Sequence, residues 1–486
     1  MDTNQLRVTP IHPKDMKVKD WLEDFHSMYT MMKENYPYLW VKERMNGHNW
    51  LDLQDYYRNR ILHAQTEMEY LEIFFDAVQA LQNRHTIILP PEELDFYYRE
   101  DLFFQKEEPF RTIFSDTVKK AYEYWNENLK ACAKKRFSLN FDVLILYHKG
   151  EYHICDGYGS WEEMYGKGSK ITAVNSTPID EAVKYCYEKG YRDRDFKRDK
   201  SLVLKIAPRH FGPDAEFTIE DRSGNEKKVT FQSGFEYTYD PFKFPEERII
   251  TKVWEDEKIG YVQIKSFEDD YMDEDHTILI EFYKKIEDYN YLIIDIRWNE
   301  GGSYEPWMKN VIAPLAQTPL KSKMYLAYRS GDYVNLFREE AHIQTVVPKD
   351  QFATLPPEVE TDDFTIYDYT QTVTPSYDVN FGGKIVILID RITFSATDAF
   401  ALFCKETGFG TFYGIPTGGD GISESPIFYV LPNSKLVIRF TPAMGVDYTG
   451  SANEEVRVKP DVYYESAVGN RDELIEYVVE RLTSED

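Results

Sequence analysis

Ser395 lies in the stretch "DRITFSATDAF", shortly after the apolar run "KIVILI". Ile385–Ile389 is short, β-branched and continuous, the pattern of a strand buried on both faces. From Ser395 the period changes, and Phe400, Phe403 and Cys404 recur at helical spacing. A serine at such a junction has two readings. With Asp398 three residues on it fits the S-x-x-D/E capping pattern, which is the commoner role. Alternatively it is a nucleophile for acyl transfer, which also needs a base and N–H donors for the oxyanion. The N–H of Ala396 would project from the first turn of the helix, where the dipole favours negative charge. Gly301 and Gly302 close a second strand-like run, "YLIIDIRWNEGG", and their backbone could approach a substrate closely. Taken alone, the pair reads equally well as a loop. Among ten histidines His85 differs by position, in the helix-to-strand turn "NRHT". Histidine titrates near neutrality and can take a serine proton without special tuning, although a lone histidine is more often structural.

The elements that must position these residues alternate. Residues 15–83 carry helical periodicity in "DWLEDFHSMYTMMKENY" and "MEYLEIFFDAVQALQ", and residues 112–135 return to it. From about 138 the pattern is β-rich, with hairpins turning at Lys149-Gly150 and Ser223-Gly224-Asn225. A linker at Asp240–Glu247 precedes alternating strands and helices: "KIGYVQIKSF", "DEDHTILIEFYKKIED", "YLIIDIRWNEGG", "YEPWMKNVIAPLA" and "KIVILID". Such alternation predicts a mainly parallel sheet with sites at the carboxyl ends of its strands, where "RWNEGG" and "RITFSA" fall.

The same residues carry a resemblance. "YLIIDIRWNEGG" resembles the D-x-R-x-N-x-G-G segment of the tail-specific and tricorn-type serine peptidases, matching at Asp295, Arg297, Asn299, Gly301 and Gly302. "DRITFSATDAF" resembles their nucleophile segment, with Ser395, Ala396 and Asp398 in place. "GIPTGG" (414–419) is similar to the family's G-E-x-T-x-G loop, and "RVKPDV" (457–462) to the closing G-V-x-P-D-V, with Arg457 replacing the glycine. "GSKITAVNSTPIDEAV" resembles the second half of a PDZ domain, although no peptide-cupping G-L-G-F loop is recognisable. The motifs occur in family order between residues 168 and 462.

This resemblance implies a serine peptidase with a crotonase/ClpP-like α/β core. It also sorts the chain between two branches. Tail-specific members use a lysine base downstream of the serine. Asp420 holds that place here, and Lys405 lies within the Ser395 helix and should point elsewhere. Tricorn-type members use a histidine from an N-terminal segment, backed by a glutamate before the P-D pair. "LQNRHT" offers His85, and "NEEVRVKPD" places Glu454 six residues before Pro460. The resemblance therefore casts Ser395 as nucleophile, His85 as base, Glu454 as the carboxylate that orients the ring or its partners, and Gly301, Gly302 and Ala396 as the oxyanion hole. Arg84 stands where tricorn has a serine, and Ala396 where tricorn has an acid linked to basic side-chain preference, so substrate preference does not carry over. The alternative is a non-catalytic relative that binds peptides or a partner protein.

Composition bounds the rest. The chain has 486 residues, 42% apolar and 29% charged, with a net charge of -27. That balance suits a soluble globular protein and excludes nucleic acid and anionic membrane surfaces as natural partners. No run is long enough to span a membrane. Cys132, Cys155, Cys186 and Cys404 form no CxxC pair and read as buried thiols. Nothing calls for a metal or organic cofactor. The polar N-terminus points to a cytoplasmic protein, with a secretion signal trimmed from a longer precursor as the alternative. The expectation is an α+β / α/β multidomain chain: a helical region carrying the His85 turn (1–136), a PDZ-like domain (137–236) and an α/β peptidase core (237–486). Its partner would be a peptide or unfolded protein substrate, with room for a homo-oligomer.

Overall fold

The computed structural model describes residues 12–99, 110–137, 143–157, 166, 168–206, 208–212, 214–230, 247–340, 345–467, 470 and 472–485. The chain forms two compact units. The first comprises Met1–Pro241, Arg329–Ile343 and Ser425–Pro442, and the second Phe242–Tyr328, Gln344–Glu424 and Ala443–Asp486. Two segments from the stretch expected to be peptidase core thus fold with the N-terminal unit. The linker expected at Asp240–Glu247 falls, but for its last residue, outside the described residues.

In the first unit, helices Val18–Asn35, Gln54–His63, Glu67–Gln79 and Asp116–Phe137 realise the helical periodicity of the N-terminal sequence. Their apolar faces bury Trp21, Phe25, Phe74 and Trp125. Trp21 stacks on Tyr70 with ring centroids 5.0 Å apart and meets Trp125 at 5.7 Å. Thr66 and Glu69 form a capping box at the start of Glu67–Gln79. The short strand Ile87–Ile88 pairs antiparallel with Val437–Phe440, which pairs with Ile427–Val430. That late hairpin is anchored here by the buried Asp24 carboxylate. It accepts the Asn433 N–H at 2.7 Å and the Ser434 N–H at 2.8 Å, while the Trp125 indole donates to the Ser434 carbonyl at 3.0 Å. The second late segment is tied in by the Val334 N–H, which donates to Asn35 Oδ1 at 3.1 Å.

The same unit holds an antiparallel sheet built on Val143–His148, Glu151–Gly157, Lys170–Val174, Glu216–Glu220 and Glu226–Thr230, in the region expected to be PDZ-like. Its hairpin turns at Lys149-Gly150, both at positive φ (48° and 94°), as the sequence predicts. Ile145, Ile154, Ile171, Phe217 and Ile219 form its core.

The second unit is organised by a six-stranded sheet in the order Ile249–Trp254, Ile259–Ile264, Tyr291–Asp295, Lys384–Ile389, Thr411–Gly414, Val462–Tyr463. The first pair is antiparallel and every later pair parallel, so the mainly parallel core expected from the alternation is present. The edge strand Ile249–Trp254 has no counterpart in the sequence reading, because its residues are partly exposed and it gives no continuous apolar run. The central strands are buried on both faces. Tyr291, Ile293, Val386 and Leu388 pack with Leu474, Val478 and Leu482 of the C-terminal helix, while Leu292, Ile294 and Ile387 are fully buried on the opposite side. Each such side chain stabilises the fold by about 1.5–3 kcal/mol. Cys132, Cys186 and Cys404 are buried thiols outside any disulfide, and the Cys155 side chain lies outside the described part. Among the described residues no helix is long and apolar enough to cross a membrane.

Asp24→Ala should leave the buried Ser434 N–H and the part-buried Asn433 N–H without an acceptor. The expected cost is about 3 kcal/mol, read as a lower denaturant midpoint for the first unit by near-UV circular dichroism. An unchanged midpoint would show that the late hairpin is held by packing alone.

Candidate active site

Strands Tyr291–Asp295 and Lys384–Ile389 are parallel neighbours, with Asp295 opposite Leu388, so both exit loops leave at the carboxyl end of the sheet. The first loop is fixed by a buried fork. Arg297 Nε donates to Asp295 Oδ1 at 2.9 Å and Nη2 to Oδ2 at 2.7 Å, and the Tyr261 hydroxyl donates to the same carboxylate at 2.9 Å. Asp390, at the end of the second strand, ties the two loops together. Its Oδ1 accepts N–H groups from Trp298 at 3.2 Å, Ile392 at 2.9 Å and Thr393 at 3.1 Å. Asn299 is fully buried, and its Oδ1 accepts the Gly301 N–H at 3.0 Å and the Thr397 hydroxyl at 2.6 Å. The D-x-R-x-N-x-G-G segment is therefore a brace whose last turn is delivered to the start of the Ser395 helix.

Ser395 sits at φ 56°, ψ -132°, a conformation that side chains resist, immediately before helix Ala396–Thr407. Its hydroxyl makes no capping hydrogen bond to that helix, and Asp398 turns instead to the Thr417 hydroxyl and the Gly421 N–H. The capping-box reading of Ser395 and Asp398 is thereby overturned. Strain of this kind costs about 1–3 kcal/mol and clusters at functional sites. It also resembles the strained strand-to-helix turn that exposes the nucleophilic serine of α/β-hydrolases.

Gly301 and Gly302 adopt φ 123° and 129°. A Cβ on Gly301 would stand 2.8 Å from Ser395 Cβ and 3.2 Å from Ser395 Oγ, so the missing side chain is what lets the two loops touch. The Gly301 N–H is taken by Asn299, whereas the N–H groups of Gly302 and Ala396 have no backbone acceptor among the described residues. Gly302 is also bridged to Phe267: a Cβ there would lie 2.2 Å from the Phe267 carbonyl oxygen. Substituting Gly302 would therefore break the fold of the loop as well as any oxyanion hole.

Behind Ser395 runs the 417–421 loop. The Gly419 carbonyl accepts the Ser395 N–H at 3.1 Å, and the Thr393 carbonyl accepts the Gly418 N–H at 2.7 Å. Burial pushes the Asp398 carboxyl up to about 6, partly offset by the Thr417 hydroxyl and by Arg457. Asp420 is buried at φ 56°. Lys405 points away from the site, its Nζ 2.6 Å from Asp461 Oδ1, in line with the absence of a Ser–Lys dyad. Glu454 lies buried in the short helix Asn453–Val456, and its Oε1 pairs with Arg457 Nη2 at 3.3 Å.

The second unit thus brings together Ser395, Ala396, Gly301 and Gly302, and holds Glu454. His85 belongs to the first unit. Its N–H donates to Asn83 Oδ1 at 2.9 Å, and its carbonyl accepts from Arg439 Nε at 3.3 Å, so the turn is fixed from both sides. Gln82, at φ 61°, opens that turn. Its side chain donates to the carbonyls of Tyr187 at 2.6 Å and Gly190 at 2.9 Å, and accepts the Arg192 N–H at 2.8 Å.

One polar residue near the site had no recognisable signal. Glu268 follows Phe267 next to the glycine pair, and burial together with Asp269 and Asp270 pushes its carboxyl up to about 7. In sequence it belongs to an acidic run that reads as a solvated face. Thr417, in the "GIPTGG" loop, links Val458 to the Ser395 helix, accepting the Val458 N–H at 2.9 Å while donating to Asp398. Among the described residues no group of three or more His, Cys, Asp or Glu could hold a metal ion.

Comparison with known proteins follows the same lines. Peptidase family S41 matches residues 258–464, and the tricorn protease C1 domain matches residues 17–79. The curated proteins contain no match to the sequence. The solved structure of mature CPAF complexed with lactacystin is similar at TM-score 0.57 and 13% identity, over 96% of this chain and 99% of that one. A peptidase structure from Parabacteroides merdae ATCC 43184 is similar at TM-score 0.50 and 15% identity, over 96% of this chain and 97% of that one. At such identities the likeness is one of fold. The stretch that carries the braced loops and the Ser395 helix is thus similar to peptidase family S41, and the N-terminal helices are similar to the tricorn protease C1 domain.

Proposed function

We propose that the chain is a serine peptidase that cleaves peptide or unfolded protein substrates through an acyl-enzyme on Ser395. The observation that carries this reading is the strained Ser395 turn, without a capping bond and closed against Gly301. In the proposed reaction Ser395 Oγ attacks the scissile carbonyl carbon while its proton passes to the His85 imidazole. The oxyanion receives the N–H groups of Gly302 and Ala396. Collapse breaks the C–N bond, and the leaving amine takes the proton from the imidazolium. Water, deprotonated by the same ring, then releases the acid and restores Ser395. Glu454 orients and stabilises rather than transferring the proton.

A second reading, a binding protein with a silent site, is favoured by one observation: the Glu454 carboxylate is paired with Arg457, where the family has glycine. Fluorophosphonate labelling separates the two. Wild type should label at Ser395 and Ser395→Ala should not. A folded wild type that neither labels nor turns over a peptide library would establish the binding reading.

Within the peptidase reading, His85→Ala should lower turnover by roughly 10⁴-fold, as loss of a triad member does elsewhere. Glu454→Gln should cost less. Full activity in His85→Ala would remove the histidine from the mechanism. Gly301→Ala should displace Ser395 and lower turnover by about 10²-fold or more. Wild-type turnover in that variant would mean that the contact is not needed for the nucleophile.

Asp398 gives a pH test. Its carboxyl titrates higher in the folded chain, at about 6, than when unfolded, at 3.8. Between those values the folded state holds the proton and the unfolded state does not, so this group's contribution falls as pH rises through the window and is flat above it. Asp398→Asn should flatten the pH dependence of stability in that range, measured by denaturant melts. An identical slope in wild type and variant would assign the titration to another group.

A further inference from the structure

Arg457 stands where the family carries glycine, and the reaction above gives it no task. Its backbone lies at φ 58°, ψ 167°, in the region that favours glycine, so the chain accepts strain to keep a side chain there. That side chain is buried, at 8% exposure. Its Nε donates to the Glu454 carbonyl at 2.6 Å, and its Nη2 pairs with Glu454 Oε1 at 3.3 Å. The remainder lies on Gly419. A Cβ on that glycine would stand 2.6 Å from Arg457 Cδ, 2.7 Å from Nε and 2.9 Å from Cζ. Gly419 is also the residue whose carbonyl takes the Ser395 N–H at 3.1 Å. Arg457 is the positive charge that acts on Asp398 against burial and against Glu454.

We propose that Arg457 is a positioning residue: its side chain clamps the Gly419 backbone that holds Ser395 in its strained turn, and its guanidinium fixes the Glu454 carboxylate. The task follows from the geometry. A planar fork on a buried stem can press on a glycine backbone and hold a carboxylate at once, which an ammonium does less well. Burying an ion pair is costly and gives little net stability, so its retention at a strained position points to placement rather than to fold energy. The proposal rests on the serine peptidase reading for its kinetic consequence but not for its structural one.

The test uses the full chain with Arg457→Gly, Arg457→Lys and Arg457→Met. Two quantities are read: the rate of fluorophosphonate labelling with the kcat and KM of peptide turnover, and amide hydrogen exchange over 394–399 and 417–422. Arg457→Gly relieves the backbone strain but leaves the buried Glu454 carboxylate without its guanidinium, so it should melt below wild type, and both readings are taken where it is folded. Its labelling rate and kcat should fall by about tenfold or more, with KM within about twofold, and exchange in the two segments should quicken by about tenfold. Arg457→Lys should recover part of both effects, and Arg457→Met neither. Wild-type labelling and exchange in Arg457→Gly would overturn the proposal, as would equal behaviour of Arg457→Met and Arg457→Lys. If Arg457→Gly fails to fold, that Lys–Met comparison decides. If wild type does not label, the peptidase reading fails and exchange decides alone. Faster exchange confined to the two segments in Arg457→Gly supports the clamp, and unchanged exchange removes it.

Discussion

Ser395 is held at φ 56°, where an L-residue is unstable by itself. A serine left to its own preferences would relax to negative φ and use its hydroxyl to cap the helix behind it. Three supports prevent that. Gly301 presses from one side with no Cβ, Gly419 takes the backbone N–H from another, and Asn299 binds Gly301 and Thr397 at the same oxygen. Much of what is buried around the two exit loops reads as a support for one of these three. The Asp295–Arg297 fork holds the loop that contains Asn299, and Asp390 holds the loop that contains Ser395.

The cost of this arrangement is electrostatic. Asp295, Asp398 and Glu454 are carboxyls removed from water, in a chain already carrying -27. The fold compensates each one locally. Asp295 receives a guanidinium and a phenol, Asp398 a hydroxyl and a backbone N–H, and Glu454 a guanidinium. Burial still raises the Asp398 carboxyl against these partners. Buried carboxyls fix loop geometry more sharply than apolar side chains would, because each accepts several donors in defined directions.

Much of the second unit was legible in the sequence because its strands are buried on both faces and its helices cover them. A run such as "YLIIDI" has few other interpretations. The glycine pair and Ser395 were legible through spacing, and the structure adds why the glycines are needed: one for approach to Ser395, the other for the bridge to Phe267. The division of labour between the two N–H groups was not legible, since it depends on Asn299 claiming one of them. The edge strand Ile249–Trp254 escaped because partial exposure dilutes its pattern. The assignment of 329–343 and 425–442 to the first unit escaped for a different reason. It rests on contacts such as those of Asn35 and Asp24 and the pairing of Ile87–Ile88 with Val437–Phe440, whose partners lie far along the chain and leave no local periodicity.

The turn that carries His85 begins at Gln82, whose side-chain amide takes most of its hydrogen bonds from the segment 187–192 of the β-rich region and one from the Gln79 carbonyl. A domain that could be lost or exchanged as a module would not share its hydrogen bonds in this way. Any ancestral shuffling that replaced the β-rich region had to supply the same two carbonyls and one amide in the same place, or leave the Gln82 amide short of partners in the turn that carries the histidine. The two parts are therefore expected to travel together through evolution as one inherited block, however separable they look as folds.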